Sequence, residues 1–267
     1  MGRVAVFVVL AAATAGFAAD VLFPEPLHLV RRVEDSLSGD ASEIDEYCSG
    51  NRIITIRGAR TAIADYGPAR QLIEIDRDAA TYSVTSFSEL AATAPKLRLQ
   101  ADTQSRRDEI VVEAVGAKAS KSGRTADWYA IRSGGDRNAA KIEIAVDREI
   151  TISREALEAL IGSAFPSTAS AQSEATARAC RHSPSEVTNG DADRYGLPLE
   201  QVMAFDDDDD DERRVTLRSS IVHLDHDAAP PELVAIPAGA RLVLSRRAQI
   251  AKSMKELDSG FVPPNRP

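Results

Sequence analysis

Short apolar runs separated by tight-turn compositions recur along this chain, and they arrive as hairpins, not alternating with helices. Ile44 to Cys48 and Arg52 to Arg57 flank Ser49-Gly50-Asn51. Leu72 to Ile75 and Thr81 to Thr85 flank Asp76-Arg77-Asp78-Ala79. Both patterns are hairpin compositions. Further strand-like runs cover Leu27 to Val33, Ile110 to Val115, Trp128 to Ile131, Leu199 to Phe205, Arg213 to Leu224 and Leu242 to Leu244. In Lys141 to Val146, Ile142, Ile144 and Val146 alternate with Glu143 and Ala145, which predicts a strand buried on one face. Such an order excludes a βαβ architecture. It predicts an α+β fold: a curved, unclosed, mostly antiparallel sheet with a few helices packed on one face.

The helices are marked by their caps. Ser86-Phe87-Ser88-Glu89 fits a capping box and starts a helix with Phe87, Leu90, Ala91 and Ala94 on one face, stopped by Pro95. Ser153 caps a second helix, in which Ala156, Leu157, Leu160, Ile161 and Ala164 recur at the helical period until Pro166. Thr168 to Cys180 is Ala-rich and reads as another helix, and Pro230 to Val234 as one helical turn.

The first residues carry a different message. Arg3 is followed by the uncharged run Val4 to Ala15 and then by small residues, the order of a secretory signal. Cleavage fits after Ala15 or Ala18. The second is favoured because it leaves the polar Asp20 close to the new start. A spanning helix needs about 20 apolar residues, and this run meets Asp20 too soon. The expected organisation is therefore a signal peptide over 1–18, one domain over 19–245 and a polar tail over 246–267. Localisation is then periplasmic or extracellular.

Export bears on Cys48 and Cys180. In an oxidising compartment they can pair, closing a loop of more than a hundred residues, a cross-link worth about 4–5 kcal/mol in the chain-entropy model. Two buried free thiols are the equal alternative.

The net charge is −9, and Asp206 to Asp211 with Glu212 supply most of it. There is no basic field for nucleic acid. The acidic run lacks the turn glycine and ligand spacing of a calcium site, so it reads as a solvated loop over 206–212. His223-Leu224-Asp225-His226-Asp227 places His223 and Asp225 on the same side of a strand, but it lacks a full ligand set at a known metal spacing. No HExxH, GxSxG, GxGxxG or phosphate-loop pattern occurs. No catalytic, cofactor or metal residue is therefore assigned.

Glu46-Tyr47-Cys48-Ser49-Gly50-Asn51-Arg52, Ile63-Ala64-Asp65 and the hairpin from Ile75-Asp76 to Tyr82-Ser83-Val84 resemble the outer-membrane lipoprotein carrier-like (LolA/LolB-like) half-barrel domains. They are closest to uncharacterised exported members of that group. Glu232-Leu233-Val234-Ala235-Ile236-Pro237-Ala238-Gly239-Ala240 is similar to the group's closing segment. The resemblance covers roughly residues 26–245. It implies an unclosed antiparallel barrel with helices on its concave side and an apolar cavity between them. Trp128, Leu157, Leu160 and Ile161 are the expected lining, and a filled core is the other reading of the same residues. The expectation is an exported, non-enzymatic envelope protein holding a lipid or other apolar ligand, in peripheral contact with membrane or envelope proteins. The alternative is an envelope structural or protein-interaction domain with a filled core. Nothing in the sequence sets the oligomeric state.

Overall fold

The computed structural model describes residues 21–93, 110–133, 141–164, 176–181, 194–206, 214–245 and 248–249. The signal-peptide span, the acidic run beyond Asp206 and most of the tail lie outside the described residues.

The strands are β1 (Phe23–Asp35), β2 (Ala41–Gly50), β3 (Arg52–Arg57), β4 (Arg60–Asp65), β5 (Gln71–Asp76) and β6 (Thr81–Ser86), then β7 (Ile110–Ala119), β8 (Thr125–Ser133), β9 (Lys141–Ile152), β10 (Tyr195–Asp206), β11 (Arg214–Asp225) and β12 (Arg241–Leu242). The helices are α1 (Phe87–Thr93), α2 (Arg154–Ala164), a described stretch of α3 over 176–180, and α4 (Pro231–Val234). All strands join one curved, unclosed sheet in the order β12-β6-β5-β4-β3-β2-β1-β11-β10-β9-β8-β7. Every pairing is antiparallel except β12 with β6. The two halves of the chain are meanders, and β1 against β11 stitches them together.

The hairpins form where the turn residues put them. Ser49 pairs with Arg52 around Gly50-Asn51, with Gly50 at φ 58°, a left-handed conformation that glycine adopts without a Cβ clash. Asn51 Oδ1 also accepts the Leu22 backbone N–H at 2.9 Å, holding the start of β1 to this turn. Both helix caps occur as expected. Ser86 Oγ accepts the Glu89 N–H at 3.2 Å, and Glu89 Oε2 accepts the Ser86 N–H at 2.9 Å. Ser153 Oγ accepts the Ala156 N–H at 3.1 Å.

The main core takes Leu27 and Leu29 from β1, Cys48 from β2 and Ile53 from β3. Ile144 and Val146 of β9 join it, with Leu197 and Leu199 of β10, Leu157 and Leu160 of α2, and Cys180 of α3. A second cluster takes the opposite side of β2 and β3 and continues onto β4 to β6: Ile54, Ile56, Ile63 and Ile75, packed by Tyr47, Tyr82, Ala229, Leu233 and Val234. Ile53 and Ile54 are consecutive in one strand, so their side chains point to opposite faces. The helices are thus divided: α2 and α3 lie on one face, and α4 lies on the other. β3 is apolar on both sides, with Ile53 in the main core and Ile54 and Ile56 in the second cluster, so each side has a cover.

The strand β9 also departs from expectation. Ala145 is as buried as Ile144 and Val146, because Trp128 and Glu200 flank it on the neighbouring strands. That side is closed by the β7–β8 turn. The Lys121 backbone N–H donates to Glu200 Oε1, and the Arg124 guanidinium pairs with Asp147.

Candidate functional site

β10 and β11 separate at one end. Their register stops at Glu200↔Ser220. Beyond it, Tyr195 to Pro198 pair with β9 and Ile221 to Asp225 pair with β1. Between the start of β1 and the end of β9, a cleft of about 810 Å³ opens at this end of the sheet. Its apolar wall includes Leu22, Phe23, Leu27, Ile150 and Ile152, while Glu25, Glu149, Arg194 and His226 supply polar groups. Phe23 and Leu27 are buried, and Val21 is half exposed at the edge. The cleft is therefore amphipathic in section, apolar at depth and charged at the rim.

The edge of the cleft is fixed by hydrogen bonds. His226 Nδ1 lies 2.8 Å from the Pro26 carbonyl, which can only accept, so that nitrogen carries the proton. Asp225 accepts the Asp227 backbone N–H at 2.9 Å. On the sheet face beside it, Asp225 also meets His223 Nε2 at 2.7 Å and His28 Nδ1 at 3.1 Å. The Asp227 N–H holds the Asp225 carboxyl below the usual carboxylate range against an opposing effect of burial, and His223 and His28 add to the lowering. Burial raises the Tyr47 phenol, and the Asp45, Asp225 and Asp227 carboxylates raise it further.

The structure thus brings His223 and Asp225 together as the strand alternation predicts, and adds His28 from β1. Among the described residues no group of three or more His, Cys, Asp or Glu side chains is arranged to hold a metal. No helix among them is long and apolar enough to cross a membrane.

The four residues expected to line a cavity lie elsewhere. Leu157, Leu160 and Ile161 of α2 are buried in the main core, and Trp128 packs against its edge. None of them lines the cleft. They fill the space between helix and sheet because α2 seats directly on β3 and β10. Cys48 and Cys180 belong to the same core, and both are free thiols. Burial raises both: Cys180 is pushed up to about 12, with Arg148 opposing, and Cys48 is raised further.

The lining of this cleft is not legible in the sequence for identifiable reasons. Phe23 precedes the run Leu27 to Val33, across two prolines. Ile150 and Ile152 follow Asp147-Arg148-Glu149, which interrupts the apolar alternation of β9. The renewed alternation Ile150-Thr151-Ile152 was the available clue.

No family model matches the chain, and no characterised protein matches it in sequence.

Proposed function

We propose that this chain is an exported, non-enzymatic protein of the cell envelope. It binds a lipid or other apolar molecule in the cleft between the start of β1 and the end of β9. The observation that carries this reading is the cleft itself. Its 810 Å³ falls in the range of about 300–1,000 Å³ typical of small-molecule sites. Buried Phe23, Leu27 and Ile152 suit an acyl or ring system, and the charged rim suits a polar end group.

The fold reading that goes with it is a half-barrel with α2 and α3 on the concave side. The helix α2 touches both β3 and β10, which stand four places apart in the sheet order. Across a flat sheet that is on the order of 19 Å, whereas a helix is about 10–12 Å wide. A sheet curved around α2 accounts for both contacts. Because Leu157, Leu160 and Ile161 fill that interior, the ligand is placed at the open end and not under the helix.

The same filled interior favours a second reading, an envelope structural or protein-interaction domain without ligand. Mass spectrometry of organic extracts from protein purified out of its native compartment separates the two. A stoichiometric apolar molecule, lost when Ile150→Glu is introduced at the cleft, supports the binding reading. Clean extracts, together with no displaceable binding of a fluorescent fatty acid, support the second. N-terminal sequencing of the same material tests export, with a start near Ala19 expected and an intact Met1 opposing it.

A further inference from the structure

Nine large apolar side chains are exposed among the described residues, and four of them fall within Ile236 to Leu244. Leu242 and Leu244 are the most open of the four, at 65% and 58%. A fifth, Val84, stands on β6, the strand that β12 joins. The register explains why they gather. Tyr82 and Val84 pair with Ile75 and Ile73 of β5, so they share the face of the second apolar cluster. Leu242 sits opposite Tyr82 and extends that face by one more strand. The cover of the cluster, Ala229, Leu233 and Val234, leaves Val84 and Leu242 open to solvent at the edge of the sheet.

The backbone of this edge is held on both sides of Leu244. The Arg241 and Val243 N–H groups donate to Ala80 O and Tyr82 O at 2.9 and 2.8 Å. Ser245 is buried and caps the turn that follows. Its Oγ accepts the Ala248 N–H at 3.2 Å, and its carbonyl accepts the Gln249 N–H at 2.9 Å. Gln249 Nε2 donates to Leu244 O at 2.7 Å. The leucines are therefore presented to water from a fixed chain. A contiguous exposed apolar patch of this kind marks an interaction surface.

The sequence that leaves this edge is cationic. From Arg241 to the last residue there are six basic side chains against two acidic ones, in a protein of net charge −9. Arg246 and Arg247 follow Leu244 at two and three positions. With consecutive Cα atoms 3.8 Å apart, both lie within about 12 Å of it in any conformation. In the neighbouring β5–β6 turn, Asp76 is engaged by Arg60 and the Ala79 N–H. Apolar side chains beside a cationic run suit an anionic bilayer: the first enter the headgroup boundary, and the second are drawn to the lipid charge. Other occupants fit less well. Strand addition takes its affinity from main-chain bonds, and β12 offers an edge of two residues. A second copy needs about 20–30 residues a side, and this face supplies five apolar ones.

We propose that the β12 edge, through Val84, Leu242 and Leu244, docks the protein on an anionic bilayer surface. The contact is peripheral. It goes beyond ligand binding in the cleft and does not depend on it, because none of these residues lines the cleft.

Co-sedimentation of protein purified from its native compartment tests this. The probes are vesicles of phosphatidylglycerol with phosphatidylcholine, and of phosphatidylcholine alone. Partitioning should be stronger on the anionic vesicles by on the order of tenfold, and should fall as salt is raised. Leu242→Ser with Leu244→Ser should lower it about tenfold. The melting temperature should hold, since both side chains are already in water. Where that variant fails to fold, Arg246→Gln with Arg247→Gln tests the charge alone and should remove much of the preference for anionic vesicles. No binding, equal binding to both vesicle types, or binding that neither pair of substitutions weakens overturns the proposal. A dimer that the leucine substitutions dissociate assigns the face to a second copy and overturns it as well.

Discussion

Arg31 and Glu46, directed inward from the adjacent strands β1 and β2, form an ion pair at 2.9 Å with almost no solvent access. Arg31 Nε also donates to Glu46 Oε2 at 2.9 Å, and its Nη1 donates to Ser219 Oγ of β11 at 3.2 Å. One guanidinium therefore ties together the three strands where the two meanders meet. Removing one partner leaves the other charge buried without this ion pair. Arg31→Met or Glu46→Met should destabilise by about 3–5 kcal/mol, read from urea unfolding. The double replacement should recover most of the loss, because two apolar side chains need no partner there. Equal losses in the single and double variants would show that the pair is not the source.

Arg148 performs a comparable task for α3. Its guanidinium donates to the Ala179, Cys180 and Arg181 carbonyls at 3.0, 2.9 and 2.7 Å and to the Tyr129 hydroxyl at 2.6 Å. Ala179 and Cys180 lie in the last turn of the helix, where carbonyls run out of intrahelical donors, and Arg181 follows it. Arg148→Ala should lower stability by about 1–3 kcal/mol and deprotect the amides of α3. Arg148→Lys should rescue little, since an ammonium cannot reproduce the planar fork. Full rescue by lysine would reduce the role to charge alone.

The thiols give a pH dependence with a definite sign. Burial lifts Cys180 from 9.0 to about 12, so the folded state holds this proton more tightly than the unfolded chain. The associated stability is complete below about pH 9 and is lost as pH rises toward 12. In urea titrations over that alkaline window, Cys180→Ala should show a shallower decline than the parent protein. Disulfide-exchange reagents should label the native protein slowly and find two thiols after unfolding. No thiol before reduction would restore the Cys48–Cys180 bridge.

Gly196 is a packing constraint. A Cβ there would lie 2.5 Å from Val146 Cγ1 and 2.7 Å from the Asp147 carbonyl. The Asp147 oxygen belongs to the backbone of β9, so it cannot turn aside. Gly196→Ala should destabilise by about 1–3 kcal/mol and disturb the β9–β10 pairing next to the cleft. An unchanged melting temperature would show that the end of β10 shifts freely.

Local chemistry was written in the sequence. The turn at Gly50-Asn51, the Ser86–Glu89 and Ser153 caps, and the β5–β6 hairpin each depend on residues a few positions apart, so their composition suffices to define them. The same logic was available for Gly58-Ala59 between β3 and β4, where Gly58 has φ 58°. Tertiary structure decided the rest. The length of β1, the burial of Ala145, the division of the helices between two faces and the parallel seat of β12 depend on neighbours far along the chain. So do the cleft and the His28 cluster. His28 meets Asp225 across 197 positions, and the cleft exists because β10 and β11 separate where each has a different partner. Periodicity reports that a side chain has an apolar or polar face. It carries no information about which distant element will cover that face, or where coverage stops.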